Sequence, residues 1–530
     1  MNLILRETVL VLNYLLLFAA LAGGTVYFIE LCFSAVKTGK YVRSLSYVDY
    51  RRFLDSEHMV PVSLIVSARN AAGELVETVN NLLALDFPQY ELIVVNDGSD
   101  DDTLVRLIQA FGLLPFQQPY RKLLETGEIH TVYRAAKDAR LIVLDKARAG
   151  RADALNAGIN LSSYPVIVAA NAGVRFEKSA LLKIMYSFVS DPSCVAVGGM
   201  VRLDCGQGTG QEKLSETKAD KQGEIIEEKQ SETTVGKQSG TIEEKQSETT
   251  VGKQSGTIEK KQGKIKTIKK PVIALRTVAN LRARMTGRLG YHLLGVHPLV
   301  PVAFCALNKA VVVEAGGYAP DCAGEDMELL LRVHTLLQKK KKKYAVRFLP
   351  DPVCRVCSPE RLTDDQKLQK RLQLGLNDSL RAHRRMALRA AYGKIGMFCL
   401  PYYWLFGCAA PVLEAFTLVF VALSCALGIV SVWFMVSFYL MAALCRTVLS
   451  AGALLTEENT FLLRPNPDRL LRLFFYAVME NAGFRQISAF SRTFAILGYR
   501  AEKNRWRAQG RPDVFEDLLK STEKTPKQQH

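Results

Sequence analysis

"YELIVVNDGSDDDT", residues 90–103, decides how the rest of the chain is read. Its apolar run from Leu92 to Val95 is too continuous for a half-exposed strand and stops at a turn built on Gly98, with Asp97 just beyond the run. Short unbroken apolar runs are the pattern of strands covered on both faces of a parallel sheet. Ligands of open α/β sheets gather beyond the carboxyl ends of such strands, so Asp97 is placed to accept hydrogen bonds from a ribose or a base. Taken alone, the same residues also read as a surface Asx turn.

Three further runs repeat the pattern: "VSLIVSA" (62–68), "ARLIVLD" (139–145) and "YPVIVAA" (164–170). Helical patterns separate them, "AGELVETVNNLLAL" (72–85) and "RADALNAGINLS" (151–162) among them. This alternation predicts a layered α/β domain. "VIVAANAGVRFEKSAL" (166–181) reads as the last of these strands running through a loop into a helix start. Downstream, "GEDMELLLRVHTLL" (324–337) carries Leu329, Leu330, Val333, Leu336 and Leu337 at helical spacing, with Glu325 and Asp326 at the helix start. The five lysines 339–343 read as a solvated helix end or turn.

At 530 residues, 48% apolar and mean hydropathy +0.05, the chain is more hydrophobic than an ordinary soluble enzyme. Residues 8–29 form an uncharged stretch of 22 residues, enough to cross a hydrocarbon core of about 30 Å. Its length, and the lack of a small-residue cleavage site after it, favour a retained anchor over a cleaved signal peptide. Met397 to Leu455 is apolar again, interrupted only by Glu414 and Arg446, which suffices for two spans. Residues 470–484 are too short and too charged for a span and read as interfacial. Lys37, Lys40, Arg43, Arg51 and Arg52 follow the first span, and "YRAEKNRWRAQGR" (499–511) follows the last apolar segment. The positive-inside rule puts both flanks in the cytosol, and parity then gives three spans.

The net charge is +17, and the segment 206–270, with 13 Lys against 11 Asp plus Glu, supplies only +2 of it. The excess beside membrane segments suits anionic lipid headgroups or phosphorylated donors. No interleaved aromatic and basic motif points to nucleic acid. Eleven cysteines, several inside apolar runs, suit buried thiols in a reducing compartment. Cys354 and Cys357 form one CxxC without a second pair, which is weak ground for zinc.

Residues 228–243, "EKQSETTVGKQSGTIE", recur unchanged at 244–259, inside a 206–270 segment almost free of large apolar residues. Such a composition cannot bury enough surface to offset its ordering entropy and reads as a disordered loop. The expected organisation is an anchor (1–40), a nucleotide-binding half (41–205), the insert (206–270), an acceptor-side half (271–392) and a membrane region with a basic tail (393–530).

Taken in order, the motifs resemble the membrane-anchored family 2 glycosyltransferases, the inverting group that includes cellulose, hyaluronan and poly-N-acetylglucosamine synthases. "PVSLIVSARN" (61–70) resembles their opening strand, "NDGSDD" (96–101) their nucleotide turn, and "KARAGRADALNAGI" (146–159) their donor segment. "EAGGYAPDCAGEDMELLLRVH" (314–334) is similar to their acceptor block, and "FLPDPVC", "LRAHRRM" and "YGKIGMFCLPYYWLF" resemble the family segments C-terminal to that block. The resemblance implies a GT-A-like α/β domain beside N- and C-terminal membrane helices, in an integral protein of the inner or plasma membrane with a cytosolic catalytic domain. It implies a nucleotide-sugar donor and a glycan or lipid acceptor. Asp97 would hold the nucleotide, Lys146 and Arg151 would lie near its phosphates, and Arg371 would help to offset their charge. Asp326 would be the general base and Glu325 its support.

The departures are concentrated. Asn171 and Gly173 occupy the family's Asp-x-Asp positions, so two carboxylates that hold a divalent cation are replaced. Mg²⁺ and Mn²⁺ favour charged oxygen ligands, which makes metal use by this chain doubtful. "LQKRL" keeps Arg371 of a Gln-x-x-Arg-Trp motif, with Leu368 and Leu372 in the other places. Val356 and Cys357 stand before Pro359 and Glu360 where the family has Thr-Glu, and Pro301 and Val302 replace a small Ser-Gly pair. These departures leave two readings: a transferase that binds its donor with little or no metal, or a pseudo-glycosyltransferase serving as scaffold or sensor for a partner synthase.

Overall fold

The computed structural model describes residues 3–45, 59–117, 119–204, 271–285, 304–461 and 467–513. The insert with its repeat, Pro301, Val302, Arg51 and Arg52 lie outside the described residues.

Ten described strands form one sheet: β1 (Val62–Ala68), β2 (Tyr90–Asp97), β3 (Leu113–Pro115), β4 (Ile129–Ala135), β5 (Leu141–Lys146), β6 (Val166–Asn171), β7 (Arg175–Phe176), β8 (Cys194–Asp204), β9 (Phe304–Asn308) and β10 (Ala345–Cys357). Their order is β3-β4-β5-β2-β1-β6-β9-β8-β10-β7. The four strands read from the sequence are the parallel centre, β5-β2-β1-β6. Every residue of β1, β2 and β6 is buried, as unbroken apolar runs require.

The flanks differ from the parallel sheet expected. β4 runs antiparallel to β5, and β9 runs antiparallel to β6 and β8, so the sheet is mixed. β4, "IHTVYRA", mixes exposed, half-buried and buried positions, so it carries no continuous apolar run. β9 and β10 come from beyond the insert, so both halves of the chain build one sheet. Apolar side chains cover both faces, one layer gathered around Val62, Leu64 and Val94 and the other around Ile65, Ile93 and Leu155. The helix Arg151–Leu161 lies directly on β1, close enough that a Cβ at Gly158 would run into the Ile65 side chain.

Three described helices are long and apolar enough to cross a membrane: Arg6–Lys40, Ile395–Ala426 and Val432–Glu458. That matches the three spans expected, and 470–484 is divided between the helix Pro467–Met479 and a π turn, Glu480–Phe484. Large apolar side chains point outward from these helices, Phe18, Trp433 and Leu444 among them, as on a lipid-facing surface. The two charges that interrupt the C-terminal apolar run belong together: Arg446 lies 3.2 Å from Glu414, which also accepts from Arg485 at 2.8 Å. A second bridge, Arg282 to Glu480 at 2.6 Å, ties the helix Pro271–Ala283 to the π turn. Ionic groups among apolar helices persist only when paired in this way.

Candidate active site

β2 ends on Asp97, and the next turn requires Gly98 at φ +58°, where a Cβ would come within 2.8 Å of the Arg148 amide nitrogen. The turns after β2 and β5 are therefore packed against each other, and Asp97 locks them. Its Oδ1 accepts from Lys146 Nζ and from the Ala149 N–H, both at 3.0 Å, and its Oδ2 accepts from the Gly150 N–H at 2.7 Å. Lys146 is wholly buried, 2.7 Å from Asp153 as well, and donates to the Ala147 carbonyl at 2.6 Å. Both residues sit at the carboxyl ends of central strands as anticipated, with their charges turned toward each other.

Arg151 opens the helix that comes next and is the hub of the site. Its guanidinium is 4% exposed. Nε donates to Asn171 Oδ1 at 2.7 Å, and Nη1 donates to Glu325 Oε1 at 2.9 Å and Asp326 Oδ1 at 3.3 Å. Asp513 Oδ1 lies 3.7 Å from Nε. Burial works against its charge, but Asp326, Glu325 and Asp513 outweigh it and hold the pKa well above the ordinary arginine value. Burial also pushes the Asp326 carboxyl up to about 6, with Arg151 pulling it down and Glu325 pushing it up. A carboxyl titrating there can hold or release a proton near neutral pH.

The Glu-Asp pair is set by a close helix crossing. Gly324 precedes the helix Glu325–Lys339 and meets Gly375 of the helix Leu362–Ala382 so tightly that a Cβ on Gly324 would strike the Gly375 carbonyl. Asn156 bridges the two halves of the site, donating to the Tyr318 carbonyl at 2.9 Å and accepting from its N–H at 2.8 Å. The Tyr318 hydroxyl is buried without a hydrogen-bond partner among the described residues. Burial, then Asp326, raise its pKa well above the ordinary tyrosine value.

Gly173 is more than a missing ligand. Its φ is +83°, and its N–H donates to Thr78 Oγ1 at 3.1 Å, so the turn after β6 is shaped for glycine. Asn171 gives its amide oxygen to Arg151. Among the described residues no three His, Cys, Asp or Glu side chains gather in a way that could hold a metal ion. The residues at the Asp-x-Asp positions therefore do not fit a divalent cation: an internal guanidinium occupies the carbonyl that a metal would need. Cys354 is buried in β10, and Cys357 ends the same strand.

The C-terminal segment crosses the mouth of the site. Arg371 donates to the Ala323 carbonyl at 2.9 Å and the Pro512 carbonyl at 3.2 Å, and its guanidinium lies 5.0 Å from the Trp506 ring. An indole thus lies beside Arg371 in space, that of Trp506, although Leu372 follows Arg371 in sequence. Arg148, exposed on the Asp97-locked turn, donates to the Gln509 carbonyl. Sequence reasoning singles out neither Arg148, Asn156, Tyr318, Trp506 nor Asp513. The first three lie inside quoted motifs, Trp506 lies in the basic stretch 499–511, and Asp513 carries no local signal.

The chain has a GT-A-like α/β sheet and long apolar helices toward both ends, and part of it is similar to the family 2 glycosyltransferases. Residues 63–122 match the family description "Glycosyl transferase family 2". The chain is 26% identical over 150 residues to a poly-β-1,6-N-acetyl-D-glucosamine synthase of Staphylococcus epidermidis, a match covering 28% of this chain and 31% of that one. A synthase of the same description from Staphylococcus aureus is 23% identical over 151 residues, again 28% and 31% of the two chains. The match thus spans about a third of these relatives' length. Among solved structures, the mannosyltransferase PcManGT of Pyrobaculum calidifontis in complex with GDP-Man and Mn²⁺ is 14% identical, covers 81% of this chain and 98% of its own, and has a TM-score of 0.48. Glucosyl-3-phosphoglycerate synthase of Mycobacterium tuberculosis, in complex with Mn²⁺, UDP and phosphoglyceric acid, is 13% identical, covering 62% and 82%, with a TM-score of 0.32.

Proposed function

We propose that this chain is a membrane glycosyltransferase that moves a sugar from a nucleotide-sugar donor to a glycan or lipid acceptor in cell-envelope polysaccharide synthesis, its sheet domain in the cytosol. The observation that carries the reading is Asp326: a buried carboxyl, poised at about 6, at the start of a helix facing the carboxyl ends of the central strands. In the step we assign to it, Asp326 takes the proton of an acceptor hydroxyl while that oxygen bonds to the anomeric carbon. The bond from that carbon to the diphosphate oxygen breaks, and the diphosphate leaves with the electron pair. Glu325 and Asn171 hold Arg151, which keeps Asp326 from rising further.

Lys146 and Arg151 each already face carboxylates, five in all with Asp97, Asp153, Glu325, Asp326 and Asp513. We therefore give Lys146 and Arg151 positioning roles and assign the donor's phosphates to Arg148 and Arg371, whose guanidinium groups reach the mouth. Both now donate to backbone carbonyls of 509–512, contacts that phosphates would replace with charge-assisted ones. The same surplus of acids, with Gly173 at φ +83°, favours the second reading, a scaffold for a partner synthase. Calorimetry on the detergent-purified chain with a panel of UDP and GDP sugars, each with Mn²⁺ and with EDTA, separates the two. Binding that survives EDTA and weakens in Arg148→Ala supports the transferase. A folded sample that binds no donor refutes it and leaves the scaffold.

A further inference from the structure

The helix Leu362–Ala382 does not run directly into the next candidate span. Two short turns, Arg384–Met386 and Ala390–Tyr392, intervene before Ile395. Between Asp378 and Glu414 the chain carries no acidic residue, but it carries Arg381, Arg384, Arg385, Arg389 and Lys394. The turns are pinned at the level of the span's first residues. The Leu388 N–H donates to the Gly396 carbonyl at 2.9 Å, and Gly396 is so close to the Met386 and Arg389 carbonyls that a Cβ there would lie 2.7 Å from each. Leu388 itself is 72% exposed and held at φ +58°, an uncommon conformation for leucine, between Arg385 and Arg389.

The opposite wall is the end of the helix Glu325–Lys339, where the lysine run begins. Lys339 ends its helix, Lys341 turns the chain at φ +52°, and all five lysines are exposed. Between the walls lies an open cleft of about 350 Å³, lined by Glu314, Arg332, Lys339, His383, Arg385 and Tyr392 among others. The acids near it are already matched: Glu314 pairs with Lys340, and Glu328 holds both Arg332 and His383. Lys339, Lys341, Lys342, Lys343, Arg384, Arg385 and Arg389 have no ion pair among the described residues. The result is a cleft with Lys339 and Arg385 in its lining, flanked along the chain by Lys341, Lys342, Lys343, Arg384 and Arg389, and with the exposed Leu388 three residues from Arg385.

We propose that this cleft binds the phosphate-bearing headgroups of anionic phospholipids and so fixes the sheet domain against the membrane surface. Clustered Lys and Arg beside a membrane helix attract anionic headgroups, and the exposed leucine adds an apolar contact with the interface. The inference rests on reading Ile395–Ala426 as a span, which resistance of the protein to carbonate extraction tests separately.

The test uses the full chain in nonionic detergent, titrated at low salt with fluorescent phosphatidylglycerol or phosphatidylcholine in mixed micelles. The wild type is expected to prefer phosphatidylglycerol. In Lys339→Gln/Arg385→Gln/Arg389→Gln that preference falls about a hundredfold, at about fivefold per cation. Lys122→Gln, an exposed change on a loop that does not line the cleft, leaves it intact. All four positions are exposed, so unchanged melting confirms that the variants fold. The proposal is overturned if the triple variant keeps the wild-type preference, or if millimolar inorganic phosphate at matched ionic strength displaces the lipid, which would make the cleft a site for soluble phosphates.

Discussion

Replacing Arg151 by methionine keeps most of the side chain's apolar stem and removes its charge from among Glu325, Asp326 and Asp513. At 2.9 and 3.3 Å, the attractions to Glu325 and Asp326 are about 5 kcal/mol each at an effective dielectric constant of about 20. The desolvation that Arg151 no longer suffers offsets part of this, and breaking a buried pair from one side costs about 3–5 kcal/mol net. The carboxyls can relieve the loss only by taking up protons. Asp326 is already pushed up to about 6 with Arg151 lowering it, so in the variant its folded pKa lies higher still. Between the unfolded value, about 4, and that raised value, the folded state binds more protons than the unfolded state, so stability falls as pH rises through the window. The variant should therefore melt well below wild type at pH 8 and much closer to it at pH 5. Thermal unfolding in detergent at both pH values provides the measurement. An equal deficit at the two pH values would refute the view that Arg151 compensates these carboxylates.

The other expectations are simpler to test. Asp326→Asn should abolish product formation while leaving the calorimetric donor affinity within about twofold, since the change is isosteric and removes only the base. In the wild type, kcat/KM should rise with pH around an apparent pKa of about 6 as Asp326 loses its proton, and a flat profile from pH 5 to 8 would remove it from that role. Asn171→Asp with Gly173→Asp should not create a Mn²⁺ site. The new carboxylate at 171 would lie against Arg151, while the left-handed backbone at 173 would cost about 1–2 kcal/mol, read as lower melting with no gain in metal binding by calorimetry. Gly324→Ala should be among the most damaging single changes near the site, because the Gly375 backbone cannot move aside; melting close to that of wild type would mean that the two helices cross with room to spare.

What could be read from the sequence was what local pattern dictates. The parallel centre, β5-β2-β1-β6, shows as four short apolar runs, because strands covered on both faces have no polar alternation to disguise them. β4 escapes because His130, Thr131 and Arg134 break its apolar run, and β9 because it is five residues long and comes after an insert of different composition. The apolar helices were legible by length, and even the interruptions at Glu414 and Arg446 were visible, although their pairing was not. Asp97, Lys146, Arg151, Glu325 and Asp326 each stand in a motif legible in the sequence, but their mutual contacts are not legible there, since nothing local says that Arg151 meets a residue 174 positions away.

Those contacts change the meaning of the substitutions. Considered one position at a time, Asn171 and Gly173 look like losses. In space, Asn171 is the one residue at the end of β6 that can accept from Arg151 without adding another buried carboxylate to a site that already holds five against two cations. An aspartate there would increase that imbalance and raise Asp326 further. Leu372 and Trp506 follow the same logic: the indole beside Arg371 now comes from a segment that also brings Asp513 and the carbonyls of Gln509 and Pro512 over the mouth. The altered position Asn171 thus belongs to one connected arrangement in which Arg151 is held among Asn171, Glu325, Asp326 and Asp513. Scattered decay would leave such positions unmatched, whereas here Asn171 is fitted to Arg151 and Trp506 to Arg371.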